Sequence, residues 1–199
     1  MIDLNSDQKT LTLKGITSDP SETLPLRRTG FEEDKEFIQF IKNVERLVRS
    51  SNEYREWVKY IKDVLGFSAC AVTQEKGCEL TIEAHHHPIS LFNICKAIIV
   101  KYMNEGKEFC TYDIALECMN LHFSNQVGFV ILITSIHEKF HNGFIKIPIE
   151  LCHGNFVHIL NTYPFDDVDR QIILEYINVK LQDVKEVWTR NQYPVAVNG

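Results

Sequence analysis

The chain has 199 residues, 44% of them hydrophobic and 11% aromatic, which is enough to bury one substantial core. A net charge of -6 and a sequence pI near 5.7 have the wrong sign for a protein that coats nucleic acid by bulk electrostatics, so any DNA contact must be local. No run of ~18 apolar residues occurs, and Met1–Lys14 lacks a secretory apolar region, so the expected setting is the cytoplasm with no membrane association.

Residues 1–31 carry Ser, Thr, Asp, Pro and Gly with scattered leucines and no sustained period, which predicts a partly disordered arm. From Glu32 the pattern changes. Phe37, Ile38, Ile41, Val44, Leu47 and Val48 recur at three-to-four spacing and paint one apolar stripe along a helix. Ser50 with Glu53 three residues on has the form of a capping box, predicting a second helix that buries Tyr54, Trp57, Val58, Ile61 and Leu65 and stops at Gly66. Residues 32–66 therefore read as a helical pair.

The runs SACAVTQ and CELTIEAHH flank Glu75-Lys76-Gly77 and read as a hairpin. Pro88 stands where a first helical residue belongs, predicting a helix over Ile89–Met103, and a further helix is expected over Tyr112–Phe123 after a cap at Thr111 or Asp113. VGFVILI is too short to span a membrane and reads as a buried strand. Ser135 and Glu138 form another capping box, which puts His137 and His141 on a short helix that Asn142-Gly143 ends. FIKIPI is a candidate strand, Val168–Leu181 a candidate C-terminal helix, and the tail beyond Asn191 a loose end. The resulting fold class is α+β and mainly helical: an arm over 1–31, a helical pair over 32–66, a core over 67–165 and a C-terminal helix and tail over 166–199. Residues 32–199 are expected to form one compact unit.

The six cysteines, Cys70, Cys78, Cys95, Cys110, Cys118 and Cys152, contain no CxxC pair and read as buried free thiols, although a hairpin would let Cys70 and Cys78 face each other. The histidines are less evenly spread. Five of eight fall in two groups, His85-His86-His87 and His137 with His141. Residues four apart share a helix face, so His137 and His141 can aim ring nitrogens at one point, and a histidine from the preceding strand can complete a ligand set. Alternation along a strand sends His85 and His86 to opposite faces, so only a bend would let both share one site. One of His85 and His86 is therefore expected to converge with His137 and His141 a few ångströms from a common point. His87 reads as a spare, and His122, His153 and His158 as structural or surface histidines.

A hairpin, a histidine pair, intervening elements and a short helix carrying H-x-x-x-H-N-G together resemble the HNH, or ββα-metal, nuclease family. More narrowly, E-x-H-H-x-P-I-S-L-F, then V-G-F-V-I-L-I, I-H-x-x-x-H-N-G and I-P-I-x-L resemble HNH-like proteins of large tailed bacteriophages, over about Trp57 to Asn155. The resemblance implies an HNH-like core with inserted helices, His85, His137 and His141 as metal ligands, His86 as the general base and Asn142 in a supporting role. In HNH nucleases an asparagine near the start of the strand before the ligand helix orients the base. Gly128 occupies that place here, and Asn125 is displaced from it.

Two functions follow as expectations. The first is a DNA endonuclease that hydrolyses or nicks phosphodiesters with Mg²⁺, Mn²⁺ or Zn²⁺, His86 taking a proton from water. The second is a catalytically degenerate HNH-like regulator of staphylococcal-phage type, binding the host RNA polymerase sigma factor in the bacterial cytoplasm through an acidic surface at Glu32, Glu33, Asp34 and Glu36.

Overall fold

In the computed structural model, residues 27–76 and 81–185 are described. The stripe that begins at Phe37 becomes helix α1 (Asp34–Ser50), which buries Phe40, Ile41, Val44 and Val48 and leaves its other side to solvent. Helix α2 (Asn52–Lys59) continues as a π-helical turn over Tyr60–Val64. Its cap is Ser51 rather than Ser50: the Ser51 hydroxyl accepts from the Tyr54 backbone N–H at 3.1 Å, while Ser50 stays in α1 and donates to the Leu47 carbonyl. Leu65, expected inside, is 45% exposed, because the wider π turn takes it off the face that carries Ile61.

Strands β1 (Ile82–His86) and β2 (Phe129–Ile133) form a two-stranded antiparallel sheet in which Ile82 faces Ile133, Ala84 faces Ile131 and His86 faces Phe129. The expected hairpin around Glu75 is therefore corrected. Residues before Lys76 make a tight turn closed by an isolated Ala69–Lys76 bridge, and the Ala71 N–H donates to the Ile131 carbonyl at 2.8 Å. The strand at 82–86 pairs across a long connection instead: β2 is buried on both faces, so its backbone N–H and C=O groups need a ladder, and β1 supplies it. Gly77 and Cys78, the expected turn glycine and one half of the proposed cysteine pair, lie outside the described residues, as do 1–26 and 186–199.

Helices α3 (Leu91–Asn104) and α4 (Thr111–Phe123) lie between the strands in sequence, and α5 (Thr134–His141) follows β2 directly. Alternation along β2 divides the interior. Phe129 and Ile131 face a large core made with α1 to α4, whereas Val130 and Leu132 face a smaller one containing Ile136, Ile145, Ile147 and Val184. The run from Val127 to Ile133 is buried throughout, and each of its large side chains stabilises the fold by roughly 1.5–3 kcal/mol.

Other boundaries differ for local reasons. Pro88 does not begin α3; Ser90 caps it, accepting from the Asn93 N–H at 3.1 Å. At α4 the cap residue is Cys110, whose N–H donates to the Asp113 carboxylate. FIKIPI buries Ile145 and Ile147 from an extended loop that leads into a 3₁₀ turn over Ile149–Leu151, with no strand formed. Helix α6 (Phe156–Thr162) went unread in the sequence, and α7 (Asp167–Ile177) starts at an Asp166 cap and ends before the expected Leu181. No helix among the described residues is long and apolar enough to cross a membrane.

Candidate metal centre

Strand alternation decides where each histidine of the run goes. Glu83 and His85 share the face of β1 that meets α5, and on α5 the four-residue spacing brings His137 and His141 to the same side. The His85 Nδ1 lies 2.8 Å from His137 Nε2, and His141 Nε2 lies 2.9 Å from that same atom. All three nitrogens fall within 4.8 Å of one another. His85 and His137 are half-buried and His141 is exposed, so the group opens to solvent on the His141 side. The structure thus brings together the three histidines expected to converge.

The donor set fits a divalent transition metal. The single lone pair of His137 Nε2 has two other ring nitrogens within 2.9 Å and can accept a hydrogen bond from only one of them. A cation at the centre would engage all three. Imidazole nitrogens around a tetrahedral zinc, at roughly 2.0–2.1 Å from the ion, stand about 3.3 Å apart, so the His85–His137 and His137–His141 pairs need to open by only about half an ångström. Burial, and then the neighbouring His137, hold His85 down at about 3; His141 is lowered by the same two causes. Both are therefore neutral near pH 7, the state in which an imidazole offers a lone pair.

Behind the trio stands Glu83. One carboxylate oxygen accepts from His137 Nδ1 and the other from the Thr134 hydroxyl at 3.1 Å. This residue was not among the expected site residues, yet its signal was present: it lies two positions before His85, on the same strand face.

His86 lies elsewhere. It is 4% exposed on the opposite face of β1, stacked near Trp57 and Tyr54, with its Nε2 2.8 Å from His122 Nε2. Since His122 Nδ1 donates to the Cys118 carbonyl at 2.7 Å, its Nε2 is the acceptor and His86 Nε2–H the donor. The His86 Nδ1 then carries a lone pair with no partner in the core. Burial, and then His122, push His86 well below the usual imidazole range. The ladder runs straight through His86 opposite Phe129, with no bend to carry its ring round to the histidine trio.

His87 is buried against Phe140 and Tyr176, and Asn142 is the C-cap of α5, its backbone N–H donating to the Glu138 carbonyl. At position 128 a Cβ would stand 2.1 Å from the His87 carbonyl oxygen and 2.9 Å from Cys152 Sγ, so no orienting asparagine fits there. Gly128→Ala is accordingly expected to destabilise the protein by about 2–3 kcal/mol, read as a lower midpoint in urea; an unchanged midpoint would contradict the close approach.

Acid should unfold the metal-free protein early. Burial lowers His87 and His122 to about 4 each and pushes His86 well below the usual imidazole range, whereas the unfolded chain titrates near 6.5. Below about pH 6.5 the unfolded state binds protons that the folded state refuses. Each such imidazole then removes up to about 1.4 kcal/mol of stability per pH unit, down to its folded value. Thermal midpoints at pH 7, 6 and 5 should fall steeply; a flat profile would mean that these rings are not buried neutral.

The family model of bacteriophage G278-like virion proteins matches residues 1–192. The chain belongs to that family. Its origin is therefore a phage, and comparison with curated proteins and with solved structures finds no match. Within this G278-like protein the remaining expected residues are spread apart. His122 joins His86 in the core, as expected of a structural histidine, while His153 packs on Phe67 and its backbone bridges to Phe129. Glu32, Glu33, Asp34 and Glu36 are exposed at the start of α1, with Glu36 paired to Arg28 at 2.6 Å.

Proposed function

We propose that this G278-like protein is a zinc-binding component of the phage particle, built on an HNH-like strand–strand–helix unit that keeps its metal ligands but has no hydrolytic base. The burial of His86 carries this reading. A general base must reach its water, and this ring is enclosed by Tyr54, Trp57 and His122 on the far side of the strand from the trio. The order β1, β2, α5, with one ligand from the first strand and two from the helix, supports the likeness to the HNH unit. Three imidazoles without a carboxylate ligand suit Zn²⁺ over Mg²⁺ or Mn²⁺. Membership of a virion protein family supports a place in the particle.

One observation favours a second reading, DNA phosphodiester hydrolysis. The site has three protein ligands and an exposed edge at His141, the arrangement in which zinc sites keep a position for substrate. When bound, zinc supplies Lewis-acid polarisation there. The residues of the chain then hold and orient the ion; among the described residues, the carboxylate bonded to the trio is Glu83, engaged by His137 and Thr134.

Supercoiled plasmid incubated with the full chain and Zn²⁺, Mg²⁺ or Mn²⁺ separates the two. The first reading predicts stoichiometric zinc binding without nicking. Nicking that His137→Ala abolishes would overturn it and establish the nuclease.

A further inference from the structure

Glu83 lies on the trio's face of β1, two residues before His85, and both of its carboxylate oxygens are engaged. Oε2 accepts from His137 Nδ1, and Oε1 accepts from the hydroxyl of Thr134, the first residue of α5. Thr134 is itself fixed to the residue just before β1, its backbone N–H donating to the Thr81 carbonyl at 3.1 Å. The carboxylate is thus clamped from the helix start on one side and bonded to the ligand ring on the other. His137 is the middle member of the trio, the one ring whose Nε2 meets both other histidines.

A neutral imidazole carries its proton on one nitrogen only. An acceptor at Nδ1 holds the proton there and leaves Nε2 as a lone pair facing His85 and His141. Without that acceptor the ring is free to place the proton on Nε2, where it blocks the trio. We propose that Glu83 is the positioning residue of the site: it locks His137 in the Nδ1–H tautomer and fixes its ring plane, so that the histidines are set for a metal before one arrives. Its use in metal binding rests on the zinc reading above; the tautomer lock itself does not require metal.

The pair has a specific consequence for substitution. Glutamine at position 83 keeps a carbonyl oxygen able to accept the Nδ1 proton but loses the charge, whereas alanine loses both. Removing a carboxylate partner behind a ligand histidine costs about 10- to 100-fold in metal affinity. Glu83→Ala should fall in that range and Glu83→Gln should recover part of the loss.

The test uses the full chain labelled with ¹⁵N in its histidines. In the metal-free protein, ring nitrogen shifts should report His137 as the Nδ1–H form in the parent and in Glu83→Gln, and as a mixture or the Nε2–H form in Glu83→Ala. Zinc titration against a competing chelator should follow the same order. Glu138→Ala, an exposed change on the same helix, serves as the control and should leave both readouts unchanged. Retention of the Nδ1–H form in a folded Glu83→Ala protein overturns the lock, and zinc affinity within twofold of the parent overturns its use in setting the site for metal. A parent chain that binds no zinc yet shows the tautomer change would remove the zinc reading and leave the lock standing.

Discussion

His86→Ala is expected to cost about 2–4 kcal/mol of folding stability while leaving zinc affinity within about twofold of the parent. The ring fills space between Tyr54, Trp57 and His122, so its removal opens a cavity in the main core. It also deprives His122 Nε2 of its donor, leaving a buried lone pair unsatisfied in place of the one at His86 Nδ1 that the substitution removes. Urea unfolding of the metal-free variant reads the first effect, and chelator competition reads the second. A His86→Ala protein as stable as the parent would show that the ring is not a core element, and one that loses zinc would place it in the site after all.

His137→Ala should do the reverse. Loss of the central ring removes the nitrogen that meets both His85 and His141, so on the zinc reading affinity should fall by more than the ~100-fold upper range of a carboxylate partner's effect. Zinc at 100 times its Kd should stabilise the parent by about 2.7 kcal/mol, and that increment should vanish in the variant. The metal-free stability should change little, because His137 is only partly buried. Equal zinc-induced shifts in the midpoint of parent and variant would refute the assignment of the trio.

Much of this site could be read from the sequence because its parts follow the periods of local structure. The four-residue spacing of His137 and His141 sets a helix face, and the run at 85–87 alternates across a strand. That same alternation already contained the fate of His86: it separated the neighbouring rings, while the family resemblance gave both of them to one site. Strand geometry prevailed, since β1 continues regularly through His86 and the Trp57 face was apolar enough to enclose a neutral ring. Glu83 was equally legible by its spacing from His85, two residues apart on one strand face.

The pairing of β1 with β2 was not legible. A local turn around Gly77 competes on sequence with a partner more than 40 residues away, and only the ladder that the buried backbone of β2 needs decides between them. The same limit explains FIKIPI, whose two inward isoleucines satisfy a core without a ladder. At Gly128 the deciding fact is a carbonyl from His87 and a thiol from Cys152, both distant in sequence, converging where a side chain would go.

The account turns on what surrounds the metal, and X-ray absorption at the zinc edge of the loaded full chain reads that directly. The trio predicts a first shell of nitrogen and oxygen only, at about 2.0–2.1 Å, with outer-shell scattering from three imidazole rings. Sulfur at about 2.3 Å would assign the metal to cysteines instead, and a chain that retains no zinc after buffer exchange would contradict the central claim.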